Sequence, residues 1–443
     1  MREKALSAER AFVHAAWRSG VEYARRASQS TFLRNVGGTF VNRVLLLAIG
    51  FVASVIVARI LGPEGRGVYA VAVSIGAIGV QLCNLGLHAS NTYRVTRNPE
   101  LLSTLVMNSI LIGMGLGGVV AAVVGGLFLF WPLLGPIHGV LLWLSLSWIP
   151  LGLCYLFMQN LLLGIEEVGA YNRIELAGKV LSVLMIGALI LFGLVTPEAV
   201  FVTGLVTLGC TLVATLVILN RHGIHAALPS FVLFWENLGY SLRGYVAALF
   251  AFVALRLDLL LVQYFLGTEQ AGYYSVAVTL TDALYMLPIT VGTILFPTLS
   301  GMSGDAERWQ FTKKVVVIVA LVMTSIAVAA LFGSRQLINT LYGIAFEPAA
   351  AAFVWLVPGI VLLSVSSLLM NYLASVGMPP IVMYASGTAA IANVGFNLKL
   401  IPSFGIQGAS LSMTLSAAIM LAMVLLYISV HQMRHPISGQ EAA

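Results

Sequence analysis

Charge is scarce in this sequence: 9% of its 443 residues are Asp, Glu, Lys or Arg, where soluble domains carry about a quarter. With 59% hydrophobic residues and a mean hydropathy of +0.97, a water-soluble globule is excluded. Cysteine is scarcer still. Cys83, Cys154 and Cys210 all fall in apolar runs, which leaves no disulfide framework and points to no metal site or cofactor. The apolar runs lack alternation, which excludes a transmembrane barrel. A nucleotide-binding loop is missing as well: Gly178-Lys179 is followed by Val180 without upstream glycine spacing, so no ATPase is expected in this chain. No cleavable leader is read, because the first apolar run is too long for an h-region and lies behind a polar lead.

What is present is a series of apolar stretches, each near the roughly 20 residues that cross a bilayer. Twelve are read, near residues 36–60, 68–88, 104–130, 139–163, 174–195, 199–219, 245–266, 272–297, 314–332, 350–373, 380–400 and 407–430. An all-α polytopic membrane protein is predicted. The net charge of +6 is explained by topology and not by nucleic acid. With the N-terminus inside, inside segments carry sixteen basic residues and outside segments three, namely Arg66, Arg335 and Lys399. That bias places both termini in the cytoplasm. Outside connections are short, the longest near 333–349, which leaves no room for an external catalytic domain. A membrane transporter is therefore expected, and not an enzyme.

The chain also repeats itself. LGPEGRGVYAVAV from Leu61 returns 205 residues later as LGTEQAGYYSVAV from Leu266, with eight of thirteen positions identical. FMQNLLLG from Phe157 is echoed by LLMNYLAS from Leu368, which pairs Asn160 with Asn371. Two six-helix lobes in parallel repeat follow, because an even number of spans starts the second on the same side as the first. The expected division is a basic cytoplasmic segment (1–35), an N-terminal lobe (36–219), a cytoplasmic connection (220–243), a C-terminal lobe (244–430) and a cytoplasmic tail (431–443). Pro150, Pro288 and Pro358 lie in or near spans as kink positions. The glycines of the third span, Gly113, Gly115, Gly117, Gly118, Gly125 and Gly126, permit close helix packing.

Arg256, Asp258 and Asp282 are the costly residues, each worth on the order of 2.5–3.5 kcal/mol at mid-bilayer on insertion scales. Arg256 lies ten residues before Leu266 and Asp282 ten after Gly272, so both sit about 15 Å from the intervening turn. Antiparallel spans bring these two to matching depth, where they can pair, while Asp258 faces about 200° away around its helix. The same cluster can line a central cavity, with Arg256 meeting an anion and an Asp carrying a proton or cation. Arg43 and Arg59, near span ends, and Asn371 complete the cavity candidates. Lys179 is assigned to snorkelling, and Asn42, Asn393 and Asn397 add polar surface.

The stretches IVARILGPEGRGVYAVAVS from Ile56, RLDLLLVQYFLGTEQAGYYSVAVTL from Arg256 and IPSFGIQGASLS from Ile401 resemble the polysaccharide-transporter branch of the multidrug/oligosaccharidyl-lipid/polysaccharide exporter superfamily. The resemblance extends over nearly the whole chain. It implies a flippase of two six-helix lobes around a central cavity, moving undecaprenyl-diphosphate-linked oligosaccharides across the bacterial inner membrane by alternating access. It marks Arg256 and Asp258 at an Arg-x-Asp position, and Arg59 and Gly62 in the first turn. It also implies a monomer working alongside polysaccharide polymerase machinery. A drug or cation antiporter and a lipid II flippase share the superfamily. Against the latter, Gly50, Phe51, Val52 and Ala53 stand where lipid II flippases usually carry an Arg-Asp pair.

Overall fold

A computed structural model describes the backbone of residues 2–131, 137–225, 227–302 and 304–434. Side chains are described within 42–430, apart from those gaps and residues 240, 243, 244, 247, 251 and 253–255. The basic side chains expected in 1–35, and the tail beyond Arg434, lie outside the described residues.

Among the described residues the chain is helical, with no strand: α1 (Arg2–Asn84), α2 (Leu87–Arg97), α3 (Leu102–Phe130), α4 (Val140–Gly164), α5 (Val168–Leu191), α6 (Pro197–Arg221), α7 (Phe231–Leu266), α8 (Thr268–Ser300), α9 (Asp305–Tyr342), α10 (Ala349–Ser375) and α11 (Ile381–Arg434). Among the described residues, nine helices are long and apolar enough to cross a membrane. Two of these, at 43 and 50 residues, are long enough for two crossings each and bend at Gly62 and Gly405. With α7 added, this gives the twelve passes expected. The protein is a multi-pass membrane protein.

The bend at Gly62 has φ +67° and ψ 179°, a backbone state that L side chains avoid. Pro63 follows at the first position of the next helical segment, where it has no hydrogen bond to lose. Gly267, 205 residues on, takes the same state with φ +88° and ψ −179°. Repeated sequence has therefore produced repeated backbone. The Asn pair agrees: Asn160 Nδ2 donates to Leu156 O and Asn371 Nδ2 to Ser367 O, each at 2.8 Å and one turn back.

Helices α1 to α6 pack mainly among themselves, as do α7 to α11, and the principal junction between the two sets is α1 against α8. The repeats meet each other there. A Cβ added at Gly67 would lie 1.8 Å from Thr268 O, and one at Gly272 would lie 1.9 Å from Pro63 O. Pro63 and Thr268 are themselves counterparts in the repeat, so the contact is a local two-fold with backbone touching backbone. At the opposite end the connection around 220–243 is partly helix, because α7 begins at Phe231. Its first turns lie on α2 and the end of α1, with Tyr245 Oη donating to Leu82 O at 2.9 Å and Arg94 paired to Glu236 at 2.9 Å.

Two expectations change in detail. The connection near 333–349, expected outside, is helix as far as Tyr342. In α3, Gly113, Gly117 and Gly125 press on Cys154, Pro150 and Leu146 of α4, whereas Gly115, Gly118 and Gly126 touch nothing within 4 Å of an added Cβ. A helix shows one face to one neighbour, and 113, 117 and 125 share it.

Because the seam has no space for a methyl group, Gly67→Ala and Gly272→Ala are expected to destabilise the protein similarly, by about 1–3 kcal/mol or more. Gly115→Ala should stay within about 0.5 kcal/mol of wild type. Thermal unfolding of the purified protein in detergent measures all three.

Candidate functional site

The α1–α8 seam widens away from the paired turns into two adjoining cavities that share Thr279 and Asp282. The smaller, about 130 Å³, is walled by Arg66 and Tyr69 of α1, Arg256 of α7, and Tyr274, Ser275 and Asp282 of α8. The larger, about 500 Å³, lies between Arg43 and Phe51 of α1, Lys179 of α5, and Asp282, Met286 and Ile289 of α8. Among the described lining residues, four cations thus stand against one carboxylate. Arg256 Nη2 stands 3.6 Å from Asp282 Oδ2, and the two side chains are 40% and 51% exposed. The pair lines the cavities, and facing a cavity that water can enter is how charges at this depth are tolerated. The cavities can accept a polyanionic group that draws on cations from several helices.

Asp258 solves the same problem differently. Two residues from Arg256 on α7, it is 3% exposed and points into the C-terminal lobe. Its Oδ1 accepts from Asn397 Nδ2 at 2.7 Å and its Oδ2 from Tyr274 Oη at 3.2 Å. Asn397 Nδ2 also donates to Asn393 Oδ1 at 3.0 Å. Asn397 Oδ1 and Asn393 Nδ2 have no hydrogen-bond partner among the described residues. This is a buried polar pocket with spare oxygen capacity, next to the smaller cavity across Tyr274.

The polysaccharide biosynthesis protein family matches this chain over residues 56–351. The chain belongs to that family. Among relatives of this polysaccharide biosynthesis protein, the succinoglycan biosynthesis transport protein ExoT of Rhizobium meliloti (strain 1021) is 25% identical over 387 residues, covering 82% of this chain and 73% of that protein. The probable low-salt glycan biosynthesis flippase Agl15 of Haloferax volcanii is 25% identical over 195 residues, covering 43% of this chain and 41% of that protein. The chain spans about a third to two fifths of the length of the first three curated relatives it matches. Among solved structures, an inward-facing multidrug resistance MATE family transporter of the MOP superfamily superposes with a TM-score of 0.74 at 12% identity, covering 89% of this chain and 96% of that one. The lipid II flippase MurJ in an inward closed conformation gives 0.70 at 13% identity, covering 90% and 87%. The fold is that of the superfamily to which the sequence was likened.

Of the six cavity candidates in this polysaccharide biosynthesis protein, Arg256, Asp282 and Arg43 line the cavities and three do not. Asp258 is buried within its lobe, as described. Arg59 donates from Nε to Leu341 O at 2.7 Å and from Nη2 to Thr340 O at 2.5 Å, so it caps the carbonyl end of α9 across the seam. Asn371 turns back on its own helix and packs on Gly292 of α8. Two cavity cations were missed. Lys179 lines the larger cavity where snorkelling was expected. Arg66, counted among outside residues, is buried. The signal for Arg66 was the repeat itself, since its counterpart is Ala271.

Asp282→Ala is expected to cost less than about 1 kcal/mol of stability, because the pair it breaks is half exposed. Asp258→Ala, which leaves Tyr274 Oη and one of the two N–H donors of Asn397 without their acceptor in the interior, should cost about 1–3 kcal/mol. Melting temperatures of the two variants, compared side by side, check the order.

Proposed function

We propose that this protein is a flippase that carries an undecaprenyl-diphosphate-linked oligosaccharide across the bacterial inner membrane for surface polysaccharide synthesis, without an ATPase of its own. The observation that carries this reading is the pair of adjoining cavities on the lobe seam, where, among the described lining residues, Arg43 and Lys179 of the larger and Arg66 and Arg256 of the smaller share Asp282 as their carboxylate. A diphosphate and several sugars cannot cross hydrocarbon unaided, since each charge costs several kcal/mol or more there. A polyprenyl tail can remain in lipid throughout. The task of the protein is therefore to supply a wet cationic passage for the head group alone.

Alternating access follows from the two-lobe plan. With both termini cytoplasmic, the paired turns at Gly62 and Gly267 lie at the outer face. The lobes touch at that end through Gly67 on Gly272, Arg59 on the end of α9, and Arg66 on Ser275 and Thr279, and at the inner end through α7 on α1 and α2, where Tyr245 bonds Leu82 and Arg94 pairs with Glu236. Transport breaks and remakes these two sets of contacts in alternation. Asp258, with the amides of Asn393 and Asn397 beside it, is the group we assign to the coupling proton or cation. A drug or cation antiporter has the same fold, but a cavity in which cations outnumber carboxylates repels a cationic cargo.

Deleting the gene should leave a lipid-linked oligosaccharide on the cytoplasmic leaflet, measured by leaflet-selective labelling; altered drug tolerance with normal surface glycans supports the antiporter instead. Arg256→Ala should abolish export at normal levels of folded protein in the membrane. Full export by that variant refutes the role given to Arg256.

A further inference from the structure

Arg66 differs from the other cavity cations in being buried, at 7% exposure. It stands shortly after the Gly62 bend in α1 and reaches across the seam. Its Nε donates to Ser275 Oγ at 3.2 Å, and its Nη2 donates to Ser54 Oγ at 3.0 Å and Thr279 Oγ1 at 3.3 Å. Nη1 has no acceptor, and no carboxylate lies within 4.0 Å, among the described residues. The Tyr69 ring lies 5.8 Å from the guanidinium carbon. Hydroxyls and a ring face satisfy part of the donor set and cancel none of the charge, and a buried cation without an anion is unfavourable. Arg256, on the opposite lobe and lining the same cavity of about 130 Å³, already has its anion in Asp282.

We propose that Arg66 and Arg256 form a two-sided anion site on the lobe seam whose ligand is a diphosphate group. Arg66 supplies the free Nη1 N–H groups from the N-terminal lobe. Arg256 supplies the other contact once Asp282, which holds its place in the absence of ligand, is displaced. Charge-assisted bonds from guanidinium N–H groups suit phosphoryl oxygens. Ser275 and Thr279 hold Arg66 at the seam, so that ligand binding and the contact between lobes act on one side chain. The proposal rests on the flippase reading and deepens it by naming the second residue that grips the head group.

Binding of inorganic pyrophosphate and of farnesyl diphosphate to the purified full chain tests it by titration calorimetry, with phosphatidylglycerol vesicles as the competing source of phosphate. Wild type should bind both diphosphates, and Arg66→Gln should weaken both at least about tenfold, the scale of one lost charge-assisted contact. Arg66→Lys should recover only part of that loss. A structural role alone predicts that affinity follows stability. The variant Arg59→Gln, which removes a contact between the lobes outside both cavities, is therefore expected to melt lower yet bind pyrophosphate as tightly as wild type, and weaker binding there overturns the proposal even if Arg66→Gln fails to fold. Wild-type affinity in a folded Arg66→Gln protein overturns it too, as does phosphatidylglycerol binding of equal strength and equal dependence on Arg66. If Arg256→Gln loses diphosphate binding while Arg66→Gln keeps it, this inference falls and the flippase reading stands. If wild type binds no diphosphate, both fall.

Discussion

The contact on which the rest depends is the one between Gly67 and Gly272, where two helices approach until backbone meets backbone. Nothing larger than hydrogen fits at either position, because the space a Cβ needs is taken by the carbonyl oxygens of Thr268 and Pro63. Close approach of small residues is the usual way for helices to associate in lipid, where apolar side chains gain nothing by leaving it. Here it occurs twice by symmetry, and it fixes where the lobes touch and where they separate. Beyond the contact α1 and α8 diverge, and the divergence is the cavity.

Charge is placed against that geometry in three ways. Arg256 and Asp282 pair loosely where the seam has opened enough to be wet. Asp258, on the side of α7 turned away from the seam, is enclosed by amides and a phenol. Arg59 neutralises the carbonyl end of α9, where a helix carries partial negative charge. Each arrangement offsets the same cost of placing a charge in hydrocarbon. The difference between them separates a group open to the cavities from one enclosed in its lobe and one that holds two lobes together.

Much of this was legible in the residues. The pairing of Arg256 with Asp282, and the turning away of Asp258, follow from rise and rotation per residue along two antiparallel helices. The twelve passes and the repeat were read from apolar length and from a thirteen-residue echo. Arg66 and Lys179 were misread for one reason: position along a span gives depth but not which side of the bundle a residue faces. A cation near a span end reads as interfacial from sequence even when its helix turns it inward, as α5 does with Lys179. Arg59 erred the other way, since its partners lie 281 and 282 residues distant and no local pattern points to them.

The sequence alone determined that this is a helical membrane protein with duplicated lobes and buried charge, because bilayer thickness and backbone hydrogen bonding permit few other outcomes for such apolar runs. Tertiary structure decided which charges share a cavity. Facing is set by how helices rotate as they pack, and here that rotation is dictated by a glycine contact between residues 205 positions apart. Only once α1 and α8 are seated on each other do Arg43, Arg66, Lys179 and Arg256, drawn from three helices, line two adjoining cavities.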